Sequence, residues 1–474
     1  MSNISELLLN NPDYSKILKK ATIVSAELDI PAYLVGGSVR DKLIGKENSK
    51  DIDLMVEKNS ELFSSELAKK LNVKTLIKFE KFYTYRIPYP DIEIEIAAAR
   101  KETYNPDSRK PNTVTLTSIK EDLYRRDFTI NAIAASLMKD NFGEIYDPLN
   151  GISDLNKGLL ITPKDPDTTF SDDPLRMLRA IRFATTLNFK LDDKITSSIK
   201  KQAERIKIIS SERITTEIIK ILSSEKPSIG FYKLKETNLL KYIFPEIDIM
   251  PGVEVINGHS HKDVFIHTLE VVDNAAKLSN KMEIRFAALV HDIAKPPTKK
   301  YYKNKGWTFH GHEEIGRRML KKVARRMKLP NELRDYLMTL TKLHLRPIAL
   351  AKKNISDKAV RRVMYEAGEY IDDLMILCRA DITTKDPKKI RKYMSNFERV
   401  EALMQDVKLR DEMRAFKSPV DGHIIMKAFD LKEGKLVGLF KKHIEDAILD
   451  CKINNDYESA YKYMFEIKDK ILTN

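Results

Sequence analysis

Cysteine is scarce in this chain, which contains only two in 474 residues. Cys378 and Cys451 stand far apart, so they form neither a disulfide framework nor a Cys-x-x-Cys metal knuckle. Long apolar runs are also missing, since no stretch approaches the roughly 20 residues that cross a bilayer. The N-terminal segment carries acidic and polar residues in place of the basic start and apolar stretch of a signal peptide. These absences predict a cytoplasmic protein with no membrane partner.

Basic residues outnumber acidic ones, which gives a formal net charge of +14 and a pI near 9.3. Such a charge favours a polyanionic partner, because each Lys or Arg placed on a phosphate releases a condensed counterion. Nucleic acid is the leading candidate, although a well-solvated surface accounts for the same charge equally well. The 42% of hydrophobic residues can supply several cores, so we expect a multidomain globular protein.

The chain changes character near Asp154. Between Tyr33 and Arg100, short β-rich runs alternate with helical or loop stretches, which is typical of a small mixed sheet. Beyond Asp154 the pattern is that of helices with charged faces, whose apolar positions recur every three and four residues. The sequence therefore predicts an α+β fold, with a mixed-sheet head and a long all-α remainder broken near residues 155, 225 and 255.

A glycine pair follows the first β-rich run. Leu34 and Val35 are predicted to end a strand, and Gly36-Gly37-Ser38 to turn into a helix near Val39. Backbone N–H groups and the helix dipole at such a turn can hold a triphosphate. An ordinary strand-to-helix turn explains the same residues, so the pair carries little weight alone.

Two acidic residues stand on the next β-rich run. Asp51 and Asp53 are two apart on a strand, so their carboxylates point to one face. Two like charges this close repel unless cations lie between them, which favours a pair of divalent metals over an acidic strand edge. Glu93 and Glu95 share a face of a later strand, and we select Glu95 as the third carboxylate.

An arginine stripe marks the helical segment 172–184. At about 100° per residue, Arg176, Arg179 and Arg182 occupy one arc, and apolar residues occupy the opposite arc. The stripe is either a solvated face or a binding surface. Asp173 has two interpretations as well, because an Asp followed by Pro174 is a good helix N-cap.

Four motifs in order carry a family resemblance: Leu-Val-Gly-Gly-Ser-Val-Arg-Asp (34–41), Asp-Ile-Asp (51–53), Arg-Arg-Asp-Phe-Thr-Ile-Asn-Ala (125–132) and Asp-Asp-Pro-Leu-Arg-Met-Leu-Arg-Ala-Ile-Arg-Phe-Ala (172–184). Together with Ser-Glu-Arg-Ile (211–214), they resemble the class II, bacterial-type CCA-adding tRNA nucleotidyltransferase and poly(A) polymerase family. The resemblance implies a polymerase-β-like head that adds CCA to tRNA 3′ ends from CTP and ATP by Mg²⁺-dependent nucleotidyl transfer.

The resemblance also implies roles for individual residues. Asp51, Asp53 and Glu95 would bind Mg²⁺, although relatives usually have threonines where this chain has Ala97 and Ala98. Asp173 and Arg176 would read the base of the incoming nucleotide in place of a nucleic-acid template. The complete set of implied nucleotide-binding residues is Gly37, Arg40, Arg126, Asp127, Asn131, Asp173, Arg176, Arg179 and Arg182.

Seven of the nine histidines cluster between His259 and His344. Each alone is more often a packed residue than a ligand, but their order resembles the HD phosphohydrolase pattern, which binds an unspecified divalent metal. The implied ligands are His267, His291, Asp292 and Asp381, with His312 and His344 for a second position. Ala294 stands where many HD domains have glycine. Such a domain would trim phosphorylated tRNA ends, or its helical bundle would serve only to bind tRNA.

The predicted divisions follow from these assignments. They are the head at 1–155, a base-reading helical neck at 156–225, a body linker at 226–255, the HD domain at 256–385 and a tRNA-binding helical tail at 386–474. Three other functions remain open: a poly(A) polymerase, an enzyme that adds only CC or only A, and a phosphohydrolase whose head merely binds a ligand.

Overall fold

A computed structural model describes residues 2–46, 51–105, 108–256, 259–260, 263–351, 356–415, 418–449 and 452–472. The chain divides into two compact units, residues 1–349 with 366–394 and residues 350–365 with 395–474. Within the described ranges, no helix is long and apolar enough to span a bilayer.

The strands lie mostly in the first third of the chain. In order they are β1 (Ala32–Val35), β2 (Asp51–Val56), β3 (Ile77–Phe79), β4 (Thr84–Tyr89), β5 (Ile92–Ala98), β6 (Arg100–Asn105), β7 (Ser108–Leu116), β8 (Ala134–Ser136), β9 (Ile145–Tyr146), β10 (Leu159–Leu160), β11 (Lys190–Leu191), β12 (Val255–Ile256), β13 (His259–Ser260), β14 (Lys300–Tyr302) and β15 (Gly306–Thr308).

Helices make up most of the rest. Those of the first half are α1 (Ser5–Leu9), α2 (Pro12–Leu28), α3 (Gly37–Leu43), α4 (Ser60–Lys70), α5 (Ile119–Tyr124), α6 (Gly151–Lys157), α7 (Pro166–Asp172), α8 (Leu175–Thr186), α9 (Asp193–Gln202), α10 (Ser211–Leu222), α11 (Ser228–Glu236), α12 (Leu239–Ile243) and α13 (Pro245–Asp248). Those of the second half are α14 (Val264–Leu278), α15 (Met282–Val290), α16 (Lys295–Thr298), α17 (His312–Met327), α18 (Asn331–Leu343), α19 (Arg346–Leu350), α20 (Asp357–Ala367), α21 (Ile371–Ala380), α22 (Pro387–Ala415), α23 (Gly422–Phe429), α24 (Lys435–Leu449), α25 (Tyr457–Glu466) and α26 (Lys468–Leu472). Short 3₁₀ turns occupy Glu80–Phe82, Thr129–Asn131, Lys139–Asn141, Ala203–Ile208 and Gly368–Tyr370.

A seven-stranded mixed sheet forms the head, in the order β3-β4-β5-β2-β1-β8-β9. Helices α2 and α4 cover one face, where Ile17 and Phe63 pack into the same buried core as Ile52 and Leu54 of β2. Because side chains alternate along a strand, Asp51 and Asp53 point away from this core. Strand β5 lies parallel to β2, with Asp53 opposite Glu95.

The α+β class predicted from the sequence is confirmed, with one difference past Asp154. Within the described residues, the six later strands form two-stranded ladders, the parallel pair β10–β11 and the antiparallel pairs β12–β13 and β14–β15. Each strand has only two or three residues, too few to leave an alternating pattern in the sequence. The hairpin β6–β7 beside the main sheet was not predicted either.

The predicted helical periodicity is confirmed in the central helices. In α8, the apolar residues Met177, Leu178 and Ile181 are buried, whereas Arg176 remains partly exposed on the opposite side. The second unit has its own apolar core, in which Phe440 of α24 and Met464 of α25 are fully buried.

One buried guanidinium group joins helices α10, α14 and α15. Arg285 on α15 donates hydrogen bonds to two carbonyl oxygens at the end of α10. One belongs to Leu222, the last residue of the helix, and the other to Ser224, two residues beyond it. The same side chain donates to Ala276 and Ser279 at the end of α14. A positive charge is also favoured at helix C-termini, where carbonyl groups lack partners.

We expect Arg285→Met to destabilise the protein by about 3 kcal/mol, because two buried and two partly buried carbonyl groups lose donors that carry a charge. Urea unfolding monitored by circular dichroism measures this loss. The control Arg318→Met removes a side chain that is 68% exposed and should change stability little. Equal midpoints for the two variants would contradict the role assigned to Arg285.

Candidate active sites

The glycine turn after β1 leads directly into α3, as predicted. Gly36 has a positive φ of 69°, and a Cβ there would lie 2.9 Å from Nη1 of Arg126. Glycine is therefore favoured by the backbone conformation, and a larger residue would also displace the end of the Arg126 side chain. Helix α3 begins at Gly37, so its first N–H groups face the cavity that the turn borders.

Ser38 holds strand β2 on both sides of Ile52. Its hydroxyl donates to the carbonyl oxygen of Asp51 at 3.2 Å and accepts from the N–H of Asp53 at 3.1 Å. These two bonds fix the backbone that carries both carboxylates. The sequence placed Ser38 in the turn but gave no sign of this contact.

Three carboxylates from β2 and β5 meet at the cavity. Burial, reinforced by the negative charge of Glu95, raises the pKa of Asp53 to about 6. Arg86 pairs with Glu93 at 2.8 Å and with Glu95 at 3.2 Å, so one guanidinium group lies between the two glutamates. Oxygen ligands crowded in this way suit a hard divalent cation, which would relieve their repulsion.

A network of buried polar groups forms the opposite wall. Arg40 donates to Oδ1 of Asn131 at 2.6 Å, and Nδ2 of Asn131 donates to Oδ1 of Asp127 at 3.0 Å. Arg179 pairs with the other oxygen of Asp127 at 2.6 Å. Burial alone would raise the pKa of Asp127, but Arg179 holds it well below its usual range. Asp127 is therefore a fixed anion that positions two other polar side chains.

Asp173 lies just before α8, and both of its carboxylate oxygens are bonded. Its Oδ1 accepts the N–H of Leu175 at 3.0 Å, and its Oδ2 accepts from Arg213 at 3.0 Å. Pro174 stands at the N-cap of α8, so the predicted capping position is shifted by one residue. Arg176 donates to the carbonyl oxygen of Arg125 at 2.8 Å. The two predicted base-reading side chains thus lie at the start of α8, each held by a neighbour.

All of the head and neck residues predicted from the sequence line one cavity of about 550 Å³. That list is Gly37, Arg40, Asp51, Asp53, Glu95, Arg126, Asp127, Asn131, Asp173, Arg176, Arg179 and Arg182. Arg125 and Arg213 line it as well and were not predicted. Arg213 stands in the Ser-Glu-Arg-Ile motif, and Glu217, one helical turn later, bonds to Arg182. Arg213 and Glu217 are four residues apart, so they share one face of α10, and this spacing is the signal in the sequence that could have identified them.

The second site lies among helix ends in the histidine-rich half. His291, His312 and His344 share one arrangement, in which Nδ1 donates to the carbonyl oxygen three residues earlier at 2.7–2.8 Å. Because a carbonyl only accepts, each Nδ1 carries a proton, and Nε2 keeps its lone pair whenever the ring is neutral. Backbone bonds of this kind orient metal-ligating histidines in other proteins.

Asp292 lies between two groups of possible ligands. One oxygen is 3.1 Å from Nε2 of His291, and the other is 3.3 Å from Nε2 of His312. Lys295 approaches the first oxygen at 2.5 Å. Apart from this ion pair, the buried oxygens of Asp292 and the buried Nε2 of His291 have no hydrogen-bond partner. Buried polar atoms of this kind are costly unless an ion binds them.

Two sets of three ligand atoms satisfy the distances expected for metal binding. The first is His267, His291 and Asp381, and the second is Asp292, His312 and His344. His267 lies on α14, with Nε2 3.0 Å from Asp381. Burial, followed by the nearby His291, lowers the pKa of His344 to about 4, so this ring is neutral and able to bind a cation. His261, part of the cluster, lies outside the described residues.

Family models match three parts of the chain. Residues 32–161 match the poly A polymerase head domain, residues 188–250 the probable RNA and SrmB-binding site of polymerase A, and residues 264–386 the HD domain. The Multifunctional CCA protein of Pseudoalteromonas atlantica is 33% identical over 365 residues, which is 74% of this chain and 84% of that protein. The chain belongs to the multifunctional CCA protein family. The protein of the same name from Tolumonas auensis is 31% identical over 378 residues, 76% of this chain and 86% of that protein.

Solved structures show the same fold along nearly the whole chain. A CCA-adding enzyme in apo form II superposes with a TM-score of 0.59 at 22% identity, covering 98% of both chains. The Thermotoga maritima CCA-adding enzyme complexed with tRNA superposes with a TM-score of 0.55 at 21% identity, again covering 98% of both. The family resemblance drawn from the sequence motifs is therefore confirmed.

We expect Asp53→Asn to stabilise the metal-free protein above pH 6. An acid whose pKa rises from 3.8 to about 6 on folding costs no stability below pH 4 and its full cost above pH 6. The gain should be about 1–2 kcal/mol, less than the whole pKa change would give, because the cavity is open to solvent.

Thermal unfolding in a chelating buffer at pH 4 and pH 8 tests this expectation. The exposed Asp140 provides the control Asp140→Asn, which should change the melting temperature equally little at both pH values. A destabilised Asp53→Asn protein at pH 8 would show that the carboxylate is satisfied without metal.

Proposed function

We propose that this protein adds CCA to tRNA 3′ ends from CTP and ATP without a nucleic-acid template. The observation that supports this most strongly is a single cavity that contains the carboxylates of β2 and β5 together with the arginines of α8. Membership of the multifunctional CCA protein family supports the same activity. A binding module without catalysis would need no such concentration of carboxylates.

We assign metal binding to Asp51, Asp53 and Glu95. Carboxylate oxygens suit Mg²⁺, and bound divalent ions would activate the attacking 3′-hydroxyl and neutralise the leaving pyrophosphate. Arg86 holds Glu95 at 3.2 Å and must share this side chain with a bound cation. Ser38 keeps β2 in one position, so the carboxylates need little rearrangement.

We assign the triphosphate to the turn at Gly37 and to Arg40 and Arg126, whose N–H groups and positive charges suit phosphate oxygens. Asp127 and Asn131 are the partners proposed for the sugar. Since Asp127 is held as an anion, it can accept a hydrogen bond from a ribose hydroxyl.

We assign base recognition to Asp173 and Arg176, with Arg179 and Arg182 supporting the nucleotide. Arg213 bonds one oxygen of Asp173 and thereby fixes the orientation of the carboxylate. Arg182 lies over the ring of Phe183 at 3.8 Å and bonds to Glu217, which limits its movement. A rigid pair of donor and acceptor can distinguish cytosine and adenine from other bases by their edges.

We retain the predicted division of labour along the chain. In it, the neck at 156–225 reads the base, and the helical tail at 386–474 binds tRNA in the cytoplasm. The head at 1–155, the linker at 226–255 and the HD domain at 256–385 complete this proposal.

A tRNA lacking its last three nucleotides tests the head. We expect CTP alone to add two residues and CTP with ATP to complete the end, as read by sequencing the product. Asp53→Asn should slow addition at least a hundredfold or so, because metal binding is lost. His291→Ala, altered in the other site, should add nucleotides normally.

Each alternative gives a different product in this assay. Long A tracts would identify a poly(A) polymerase, and addition that stops after CC or requires a preformed CC end would identify a partial enzyme. Failure of the wild-type protein to extend any RNA would contradict the proposal.

We also propose that the histidine site is a divalent-metal phosphohydrolase acting on phosphorylated or cyclic-phosphate tRNA ends. The supporting observation is the set of buried atoms of His291 and Asp292 that lack hydrogen-bond partners apart from the ion pair with Lys295. A bundle kept only to bind RNA would gain nothing from this arrangement. His267 and Asp381 would complete one metal position, and His312 and His344 the other.

Hydrolysis of a 2′,3′-cyclic nucleotide tests this second site. We expect His291→Ala to lower the rate at least tenfold or so, since a directly bound ligand is lost, and chelation followed by separate addition of Mg²⁺, Mn²⁺, Ni²⁺ or Zn²⁺ to identify the metal. Asp53→Asn is the control and should hydrolyse normally. Equal background rates in wild type and His291→Ala would leave tRNA binding as the function of the bundle.

A further inference from the structure

Helix α17 carries an unusual concentration of positive charge. Arg317, Arg318, Lys321, Lys322, Arg325 and Arg326 recur in adjacent pairs four residues apart, so they share one face. The opposite face, which includes Leu320 and Val323, is buried. We call these six basic residues the α17 basic face.

Most carboxylates near this face are already engaged. Glu314 pairs with Arg317 at 2.7 Å, and Glu246 pairs with Arg326 at 2.6 Å. Lys321, Lys322 and Arg325 are exposed and form no ion pair within the described ranges. A solvated helix would normally place glutamates four residues from such cations. Within the described ranges, the positive charge of Lys321, Lys322 and Arg325 is therefore not compensated by a carboxylate.

The same residues border a surface depression of about 770 Å³ between α17 and α18. Its lining has seven basic side chains, the six of the α17 basic face and Arg334, but a single acidic one, Asp335. Asp335 is paired with Arg334 at 2.8 Å. A concave surface with this excess of positive charge suits a polyanion with repeated phosphates.

The helix also connects the two proposed sites. It begins at His312, one of the clustered histidines, and its last residue, Met327, accepts a hydrogen bond from Thr215 of α10 at 2.7 Å. Helix α10 carries Arg213, which holds Asp173. Sixteen residues at about 1.5 Å each give a helix of roughly 24 Å. One RNA strand could follow that path between the sites.

We propose that the α17 basic face binds the phosphate backbone of RNA. The region that matches the RNA-binding family model ends at residue 250, so this surface lies outside it. The identity of the polyanion rests on the proposed function, because tRNA is its substrate. Binding here is to phosphates, so it is sensitive to salt and indifferent to base sequence.

The full-length triple variant Lys321→Ala, Lys322→Ala, Arg325→Ala tests this proposal. We expect its affinity for tRNA lacking CCA to fall at least tenfold at about 0.1 M salt, and the slope of log affinity against log salt to decrease by up to about three. Fluorescence anisotropy over a salt series measures both. Hydrolysis of a cyclic mononucleotide should remain unchanged, because that substrate is too small to reach the helix face.

A matched variant removes the same charge elsewhere. Lys300→Ala, Lys303→Ala, Lys305→Ala changes three exposed lysines of the β14–β15 hairpin and should retain the wild-type salt slope. If the α17 variant binds tRNA like this control while the wild type still extends tRNA, the surface proposal is wrong and the proposed function stands. If the wild type neither binds nor extends tRNA, the proposed function itself is wrong, and the surface proposal that rests on it is wrong as well. Polyglutamate serves as a second probe in the same assay. If the α17 variant loses binding to polyglutamate but still binds tRNA like the wild type, the proposal is overturned in favour of an acidic protein partner.

Discussion

Buried negative charge without enough donors from the protein is the constraint on which both sites depend. In the head, Asp53 is raised in pKa by burial and by Glu95. In the second site, the buried carboxylate of Asp292 has no hydrogen-bond partner apart from its ion pair with Lys295. Each cluster is costly as an isolated protein feature and becomes favourable when cations bind. The surrounding helices and strands must hold these groups together against their repulsion, which explains the rigid supports around them.

Those supports are mostly bonds between distant parts of the chain. Ser38 fixes β2, and Arg285 joins the ends of α10 and α14. Helix α10 supplies Arg213 to the nucleotide cavity, and α14 supplies His267 to the histidine site. One buried arginine therefore stabilises the scaffolds of both sites at the same time. All of its hydrogen bonds go to backbone carbonyl groups, which is consistent with a structural role.

The sequence predicted the parts of the molecule that depend on local periodicity. Alternation on β2 placed Asp51 and Asp53 on one face, and helical spacing separated the arginines of α8 from its buried side. It could not predict that Asp53 lies opposite Glu95, because β2 and β5 pair across two intervening strands and a helix. The contacts of Ser38, Arg213 and Arg285 were missed for the same reason. Each joins residues that are distant in sequence or bonds a backbone group that has no signature of its own.

In the histidine site, ligands that are spread along the sequence are brought together at the ends of helices. The motif predicted the order of the ligands, but the fold places His291, His344 and Asp381 each directly after the last residue of a helix. At a helix end, the ring nitrogen of a histidine can reach a carbonyl three residues earlier, which sets its tautomer without a second side chain. Several helix ends that converge on one carboxylate thus supply several oriented Nε2 atoms. Asp292 has one oxygen 3.1 Å from Nε2 of His291 and the other 3.3 Å from Nε2 of His312, so its carboxylate contacts both groups of possible ligands. A substitution that shortened α15 or α18 would therefore displace His291 or His344 from its place beside Asp292.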